Sequence, residues 1–165
     1  STDGNGVPAH SVAFMVEGGD ANTIAKTINE KMTPGTGYFG TTTVTVYDDN
    51  GLPTDVKFTR PTHVVIDVEV SLTALLGYTS AIGDLIKPAI VEYINSLGIG
   101  QDVLWSKVLG ASLLAGTEEG NTFNVTGLKM AVHGSSPYAL APSDISIAFD
   151  EMPESAEVNI TLVVT

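Results

Sequence analysis

The stretch from Ile82 to Leu97 constrains this chain more than any other. Ile82, Leu85, Ile86, Ala89, Ile90, Tyr93, Ile94 and Leu97 recur at three- and four-residue spacing through four turns, which lays an apolar stripe along one side of a helix. Pro88 falls inside the pattern but off the stripe, and predicts a kink or a later helix start, the kink being favoured. Gly98 stands where a left-handed cap belongs, with Ile99 beyond it as the apolar partner of that cap. Just upstream, the β-branched run Thr62 to Leu72 places Val64, Ile66, Val68 and Val70 on one face of a long strand. Downstream, Asp102 is expected to cap a further helix to about Ala115, with Leu104, Val108, Ala111 and Ala115 inward and Gly116 ending it. Strands are then expected at Thr122 to Val132, Ser143 to Phe149 and Glu157 to Val164.

The first part of the chain reads differently. Residues 1–10 are polar and Gly-rich, and are expected to form a flexible linker; they lack the basic and apolar regions of a signal peptide. Ser11 to Val16 has the pattern of a buried strand stopped by Gly18-Gly19. Asp20 can cap a helix to Met32, in which Ile24, Ile28 and Met32 share a face with Ala21 and Ala25 alongside, and Pro34 stops it. Pro34 to Gly40 carries three glycines in seven residues and is expected to be a loop. Thr41 to Tyr47, the turn Asp48-Asp49-Asn50-Gly51 and Thr54 to Thr59 spell a hairpin. Arg60-Pro61 breaks it. The expected class is α+β, with mainly antiparallel or mixed sheets and helices packed on them. Two subdomains are expected: β-α-β-β over residues 11–60 and β-α-α-β-β-β over residues 61–165.

Composition narrows the partners. With 19 acidic and 7 basic side chains the net charge is −12, and the basic residues are scattered singly, so a phosphate backbone or an anionic membrane surface is a poor partner. The chain has no cysteine, which excludes disulfides, thiolate nucleophiles and zinc ribbons, and its longest apolar stretches are too short for a membrane span.

Residues that could carry chemistry are dispersed. His10, His63 and His133 lie in three separate segments, none with a second ligand at helical spacing, so neither a metal nor a cofactor is expected. Asp48-Asp49-Asn50-Gly51 resembles the start of a calcium loop, but Thr59 and Arg60 stand where the closing glutamate would be needed. Gly35-Thr36-Gly37-Tyr38-Phe39-Gly40 spells GxGxxG, yet it follows a helix and precedes a strand, the reverse of a dinucleotide site. No GxSxG elbow exists. Asp144, Asp150, Glu151, Glu154 and Glu157 cluster near the C-terminus and read as solvated faces and tips; a hydrolase would need two of them in one cleft. Trp105 reads as a packing residue more than as an interface anchor. No catalytic, cofactor-binding or metal-binding residue is assigned.

Several segments, in order, resemble the baseplate J-like family of contractile-tailed phages, the tail baseplate proteins of the P2 J and Mu types. His10 to Asp20 followed by Ile24-Ala25 resembles that family's strand-Gly-Gly-Asp-helix segment. Pro34-Gly35-Thr36-Gly37 with Gly40 to Val46, Val56 to Pro61, Ile94 to Val103, and Val125 to Leu128 with Asp144 to Phe149 continue the likeness over nearly the whole chain. The resemblance implies a C-terminal fragment of a longer protein, and a non-enzymatic, structural role. It implies partners among other baseplate and tail proteins and copies of itself in the assembled ring, with no nucleic acid and no membrane. It also implies a place in the virion tail baseplate, assembled in the bacterial cytoplasm. In that setting the sequons at Asn124 and Asn159 mean nothing. An alternative is a carbohydrate- or receptor-binding module of a tail tip, which would gather Tyr38, Phe39, Tyr78 and Tyr138 around one groove.

Overall fold

The computed structural model describes residues 2–33 and 35–165, and the chain is α+β with both parallel and antiparallel strand pairs. It divides into two compact units, one up to Thr62 and one from His63.

In the first unit, residues 2–10 form a tight turn in which Thr2 bridges to Pro8 and the Asp3 carboxylate accepts from the Asn5 and Val7 amides. Strand β1 covers only Ser11–Ala13, with a single further bridge from Met15 to Thr59. The buried strand expected to reach Val16 is therefore short and only partly covered. Helix α1 spans Ala21–Lys31, and the Asp20 carboxylate caps it by accepting the Thr23 amide at 2.9 Å. Ala25 and Ile28 are buried, with Ile24 and Met32 packed beside them. Pro34, the expected stop, lies outside the described residues.

The glycine-rich segment corrects the sequence reading. Gly37–Phe39 is not loop but strand β2, paired in parallel with β1. The segment's glycines leave room for close neighbours: a Cβ on Gly37 would lie 2.6 Å from the Ser11 side-chain Oγ, and one on Gly40, just past the strand, would lie 2.4 Å from the Phe58 carbonyl carbon. Strand β3 (Thr42–Tyr47) and strand β4 (Pro53–Phe58) form the expected antiparallel hairpin, and its turn is tied by Asp48 Oδ1, which accepts from Asn50 and Leu52.

Arg60 holds the unit's far end. Its guanidinium donates to the carbonyls of Val16, Gly18 and Gly19 and lies 5.2 Å from the Phe58 ring centroid. Gly18 and Gly19 have φ of +65° and +77°, a conformation that turns their carbonyls toward the guanidinium and that side chains disfavour. Arg60→Lys should lower this unit's stability by about 1–3 kcal/mol, because an ammonium cannot reproduce the planar fork. Urea titration followed at the β3–β4 amides checks this, and an unshifted midpoint would place the stabilisation elsewhere.

In the second unit, strand β5 (Thr62–Ala74) is central, with strand β6 (Phe123–Val132) antiparallel along one side. Along the other side run strand β7 (Glu151–Glu154) and, parallel to β5, strand β8 (Ile160–Val164). Ile66, Val68, Val70 and Leu72 point to one face. That face joins Ile86, Ile90 and Ile94 of helix α2 (Ser80–Asn95) and Val108 of helix α3 (Trp105–Ser112) in one core.

Several helix details differ from expectation. Helix α2 starts at Ser80 and runs through Pro88, so the later start is excluded. Its buried line is Gly83, Ile86, Ile90 and Ile94, whereas Leu85 is 48% exposed, because the covered stripe is narrower than the apolar one. Gly98 does not adopt the left-handed cap; the helix closes through Ser96, and the positive φ of +69° is at Gly100. Helix α3 is shorter than expected, with Val108 and Ser112 buried while Leu104 and Ala115 are exposed. Asp102 does not cap it. The Trp105 amide instead donates to Asp144 Oδ1 at 2.7 Å, and Asp102 Oδ1 accepts the Ile147 amide at 2.8 Å.

Ser143 to Phe149, expected as a strand, is not one. Only Ile145 makes a bridge, to Val103, while the Ile147 and Ala148 amides donate to the Asp102 and Glu151 carboxylates. The strand that was not expected, β7, contains a buried Pro153 between glutamates, a composition that reads as a turn; its place beside β5 at the rim tolerates the missing N–H. Glu157–Asn159 is a short 3-10 turn, so the last strand begins only at Ile160.

Candidate functional site

Alternation along β5 turns Asp67 and Glu69 away from the core, onto the sheet face that α2 and α3 leave open. Glu69 pairs with Lys129 opposite it on β6 at 3.0 Å. Asp67 is the centre of a larger cluster. Its carboxylate accepts from Asn159 Nδ2 at 2.8 Å, from Tyr138 Oη at 3.0 Å and, with the ring proton placed on Nδ1, from His133 at 2.9 Å. Three elements thus converge: the central strand, the turn leading into β8, and the segment after β6. The Asp67 side chain is only 15% exposed, so the three donors replace most of its water.

A cleft of about 490 Å³ opens over this cluster, lined among others by Glu69, Leu140, Val158 and Thr161. Burial by itself would raise the pKa of Asp67, but the hydrogen bonds from Asn159, His133 and Tyr138 outweigh it, and the pKa is lowered. Tyr138 is shifted up, by desolvation and by the adjacent Asp67 carboxylate.

A depressed carboxylate pKa contributes stability that is present above the unfolded value of about 3.9 and lost as pH falls through the lower folded value. Acidification below about pH 4 should therefore release the Val132–Ala141 segment, and Asp67→Asn should remove that part of the acid transition. Hydrogen exchange of the 133–140 amides against pH checks this; identical acid profiles for the two proteins would show that Asp67 does not hold the segment.

What can this arrangement do chemically? A histidine oriented by a carboxylate has the form of a general base. Among the described residues, however, no serine or threonine hydroxyl is hydrogen-bonded to His133, so no activated nucleophile accompanies it. The cluster ties chain segments together through a charged acceptor.

The other singled-out residues are separated. His63 Nδ1 lies 2.7 Å from Glu154 Oε2, beside a small cleft of about 200 Å³. His10 is exposed, with φ of +59°, and its carbonyl accepts the Gly37 amide. No group of three or more His, Asp or Glu residues that could hold a metal ion occurs among the described residues. Of the C-terminal acids, Asp144 caps α3, Glu151 accepts the Ala148 amide and Glu154 faces His63, each with its own partner. Trp105 packs against the core and its indole N–H donates to the Leu128 carbonyl at 2.8 Å. Within the second unit, Tyr78 and Tyr138 line different clefts. Tyr38 bonds Asn29 within the first unit, Tyr78 packs edge-on against Phe123, and Tyr138 sits on Asp67.

Asp67 was not singled out from sequence. The available signal was an Asp and a Glu at alternate positions in a long β-branched run, where the solvent face of a strand would carry them. Its partners at 133, 138 and 159 have no sequence relation to it.

No helix among the described residues is long and apolar enough to cross a membrane. No family model matches the chain, and no curated protein matches it in sequence.

Proposed function

We propose that this chain is a structural part of a contractile phage or prophage tail baseplate, of the baseplate J-like kind, acting through interfaces and not by catalysis. The observation that carries the reading is the use made of the segments that resemble that family. They bond to one another. Arg60 of the Val56 to Pro61 segment donates to the Gly18 and Gly19 carbonyls of the first segment. Asp102 and Val103 bind Ile147 and Ile145 of the last. Residues used this way serve as scaffold, which is what a subunit that transmits force through fixed geometry requires. The dispersal of His10, His63, His133 and the acidic residues over separate partners supports the non-enzymatic side of the reading.

The partners in this reading are other baseplate and tail proteins and further copies of the chain in the ring. Disrupting the reading frame in the phage or prophage that encodes it should yield tails without baseplates, restored by supplying the gene in trans. Intact, contractile particles from the disrupted strain would sink the proposal. Particles with normal baseplates that fail only to adsorb would favour the receptor-binding alternative.

A further inference from the structure

The two rims of the second unit's sheet are finished differently. On the β6 side, Met130 exchanges both of its backbone bonds with Ala141, which covers that part of the rim. On the β8 side no such cover is found among the described residues. The ladder shows which groups this leaves open. Thr165 receives from Ala74 and donates to Leu72, so in a parallel ladder Thr165, Val163 and Thr161 face β5, while Leu162 and Val164 aim their N–H and C=O groups off the sheet.

A groove of about 580 Å³ lies alongside these groups. Its other wall is one face of α2, formed by Ser80, Gly83, Asp84 and Lys87 at helical spacing. Gly83 is buried at the base of that wall and lets Tyr78 and Leu162 pack against the helix: a Cβ there would meet Tyr78 Oη at 2.6 Å and Leu162 Cδ1 at 3.3 Å. An unpaired strand edge flanked by a helix, with room between them, accepts an extended peptide as an added strand.

We propose that this groove binds an extended segment of a different chain, paired by main-chain hydrogen bonds to Leu162 and Val164, uncharged where it lies in the groove and basic at its flanks. Charge selects this occupant. The groove's own charges, Asp84 and Lys87, are opposite in sign and one turn apart, so its centre suits neutral side chains. The second unit by itself has 12 acidic and three basic side chains, which attract basic flanks and oppose a second, equally acidic copy. The proposal rests on the edge and the groove alone and stands or falls separately from the baseplate reading.

The test uses the full chain, labelled with nitrogen-15, and a synthetic peptide of alternating valine and threonine flanked by lysines. The expected result is that the Leu162 and Val164 amides shift and become protected from exchange. Peptide methylated on alternate backbone nitrogens, and peptide flanked by glutamates, should each bind at least about tenfold more weakly. Val164→Pro removes an outward N–H without breaking the β5 ladder, and should weaken binding about tenfold with little change in melting temperature. Should that variant fail to fold, the methylated peptide carries the same comparison on the unaltered protein. Absence of shifts at millimolar peptide, indifference to methylation, or protection of Leu162 and Val164 that rises with protein concentration without peptide would overturn the proposal, the last by making a second copy the occupant.

Discussion

Ile90→Ala is expected to destabilise the second unit by about 2–5 kcal/mol, the cost of removing a large aliphatic group from a packed core and leaving a cavity. Ile90 is fully buried and stands between Ile86 and Ile94 on the line of α2 that meets Ile66, Val68, Val70 and Leu72. All of these neighbours belong to regular elements whose backbones are pinned by hydrogen bonds, so the site has little freedom to collapse around the missing atoms. Leu85 offers the internal control, because it lies on the same helix and is 48% exposed. Leu85→Ala should cost under about 1 kcal/mol. Denaturant melts of the two variants side by side check the pair, and equal losses would mean that the buried line of α2 runs elsewhere.

Gly40→Ala is the second change with a large expected effect. The added methyl would sit 2.4 Å from the carbonyl carbon of Phe58 and 2.6 Å from its Cα and N. These are backbone atoms and cannot rotate away. Relief requires moving β4, and Phe58 is fully buried in a core shared with Ala25, Ile28 and Val56. The expected loss is about 3 kcal/mol or more, at the upper end for overpacking since no side chain can absorb the strain. Hydrogen exchange separates the units: amides of β3 and β4 should lose protection while those of β5 and β6 keep theirs. Unchanged protection in β3 and β4 would show that the two backbones have room to part.

The same glycine shows where local reasoning stops. Gly35 to Gly40 reads as loop because glycine disfavours strands when only its own conformation is weighed. In the fold, Gly37 lies within β2, where a Cβ would meet the Ser11 hydroxyl, and Gly40 just beyond it lets the chain approach the Phe58 backbone, where a Cβ would clash. The partner atoms that make this worthwhile are on Ser11 and Phe58, outside any local window.

A comparable exchange occurs at α3. Asp102 has the right residue type and position for a helix cap, but the Trp105 amide is taken by Asp144 and Asp102 serves Ile147. The 143–149 segment, bridged to Val103 through Ile145, brings both the Asp144 carboxylate and the Ile147 amide to this place. The expected strand does not form there: the Ile145 amide bridges to Val103 and those of Ile147 and Ala148 go to carboxylate side chains.

What the sequence by itself determined was the set of elements whose signals are completed within a few residues. Asp20 caps α1 through Thr23, Asp48 closes the β3–β4 turn through Asn50 and Leu52, β5 alternates, and α2 repeats its isoleucines every fourth residue. Each carries its signal, a cap, a turn or an apolar period, within a short window, although β5 and α2 are held in place by packing on each other and on distant strands. The tertiary structure alone decided the β1–β2 pairing, the identity of the α3 cap, the strand at Glu151–Glu154, the Asp67 cluster and the open edge of β8. In each of these the deciding group lies tens of residues away, and its contribution exists only once the chain has folded to bring it there.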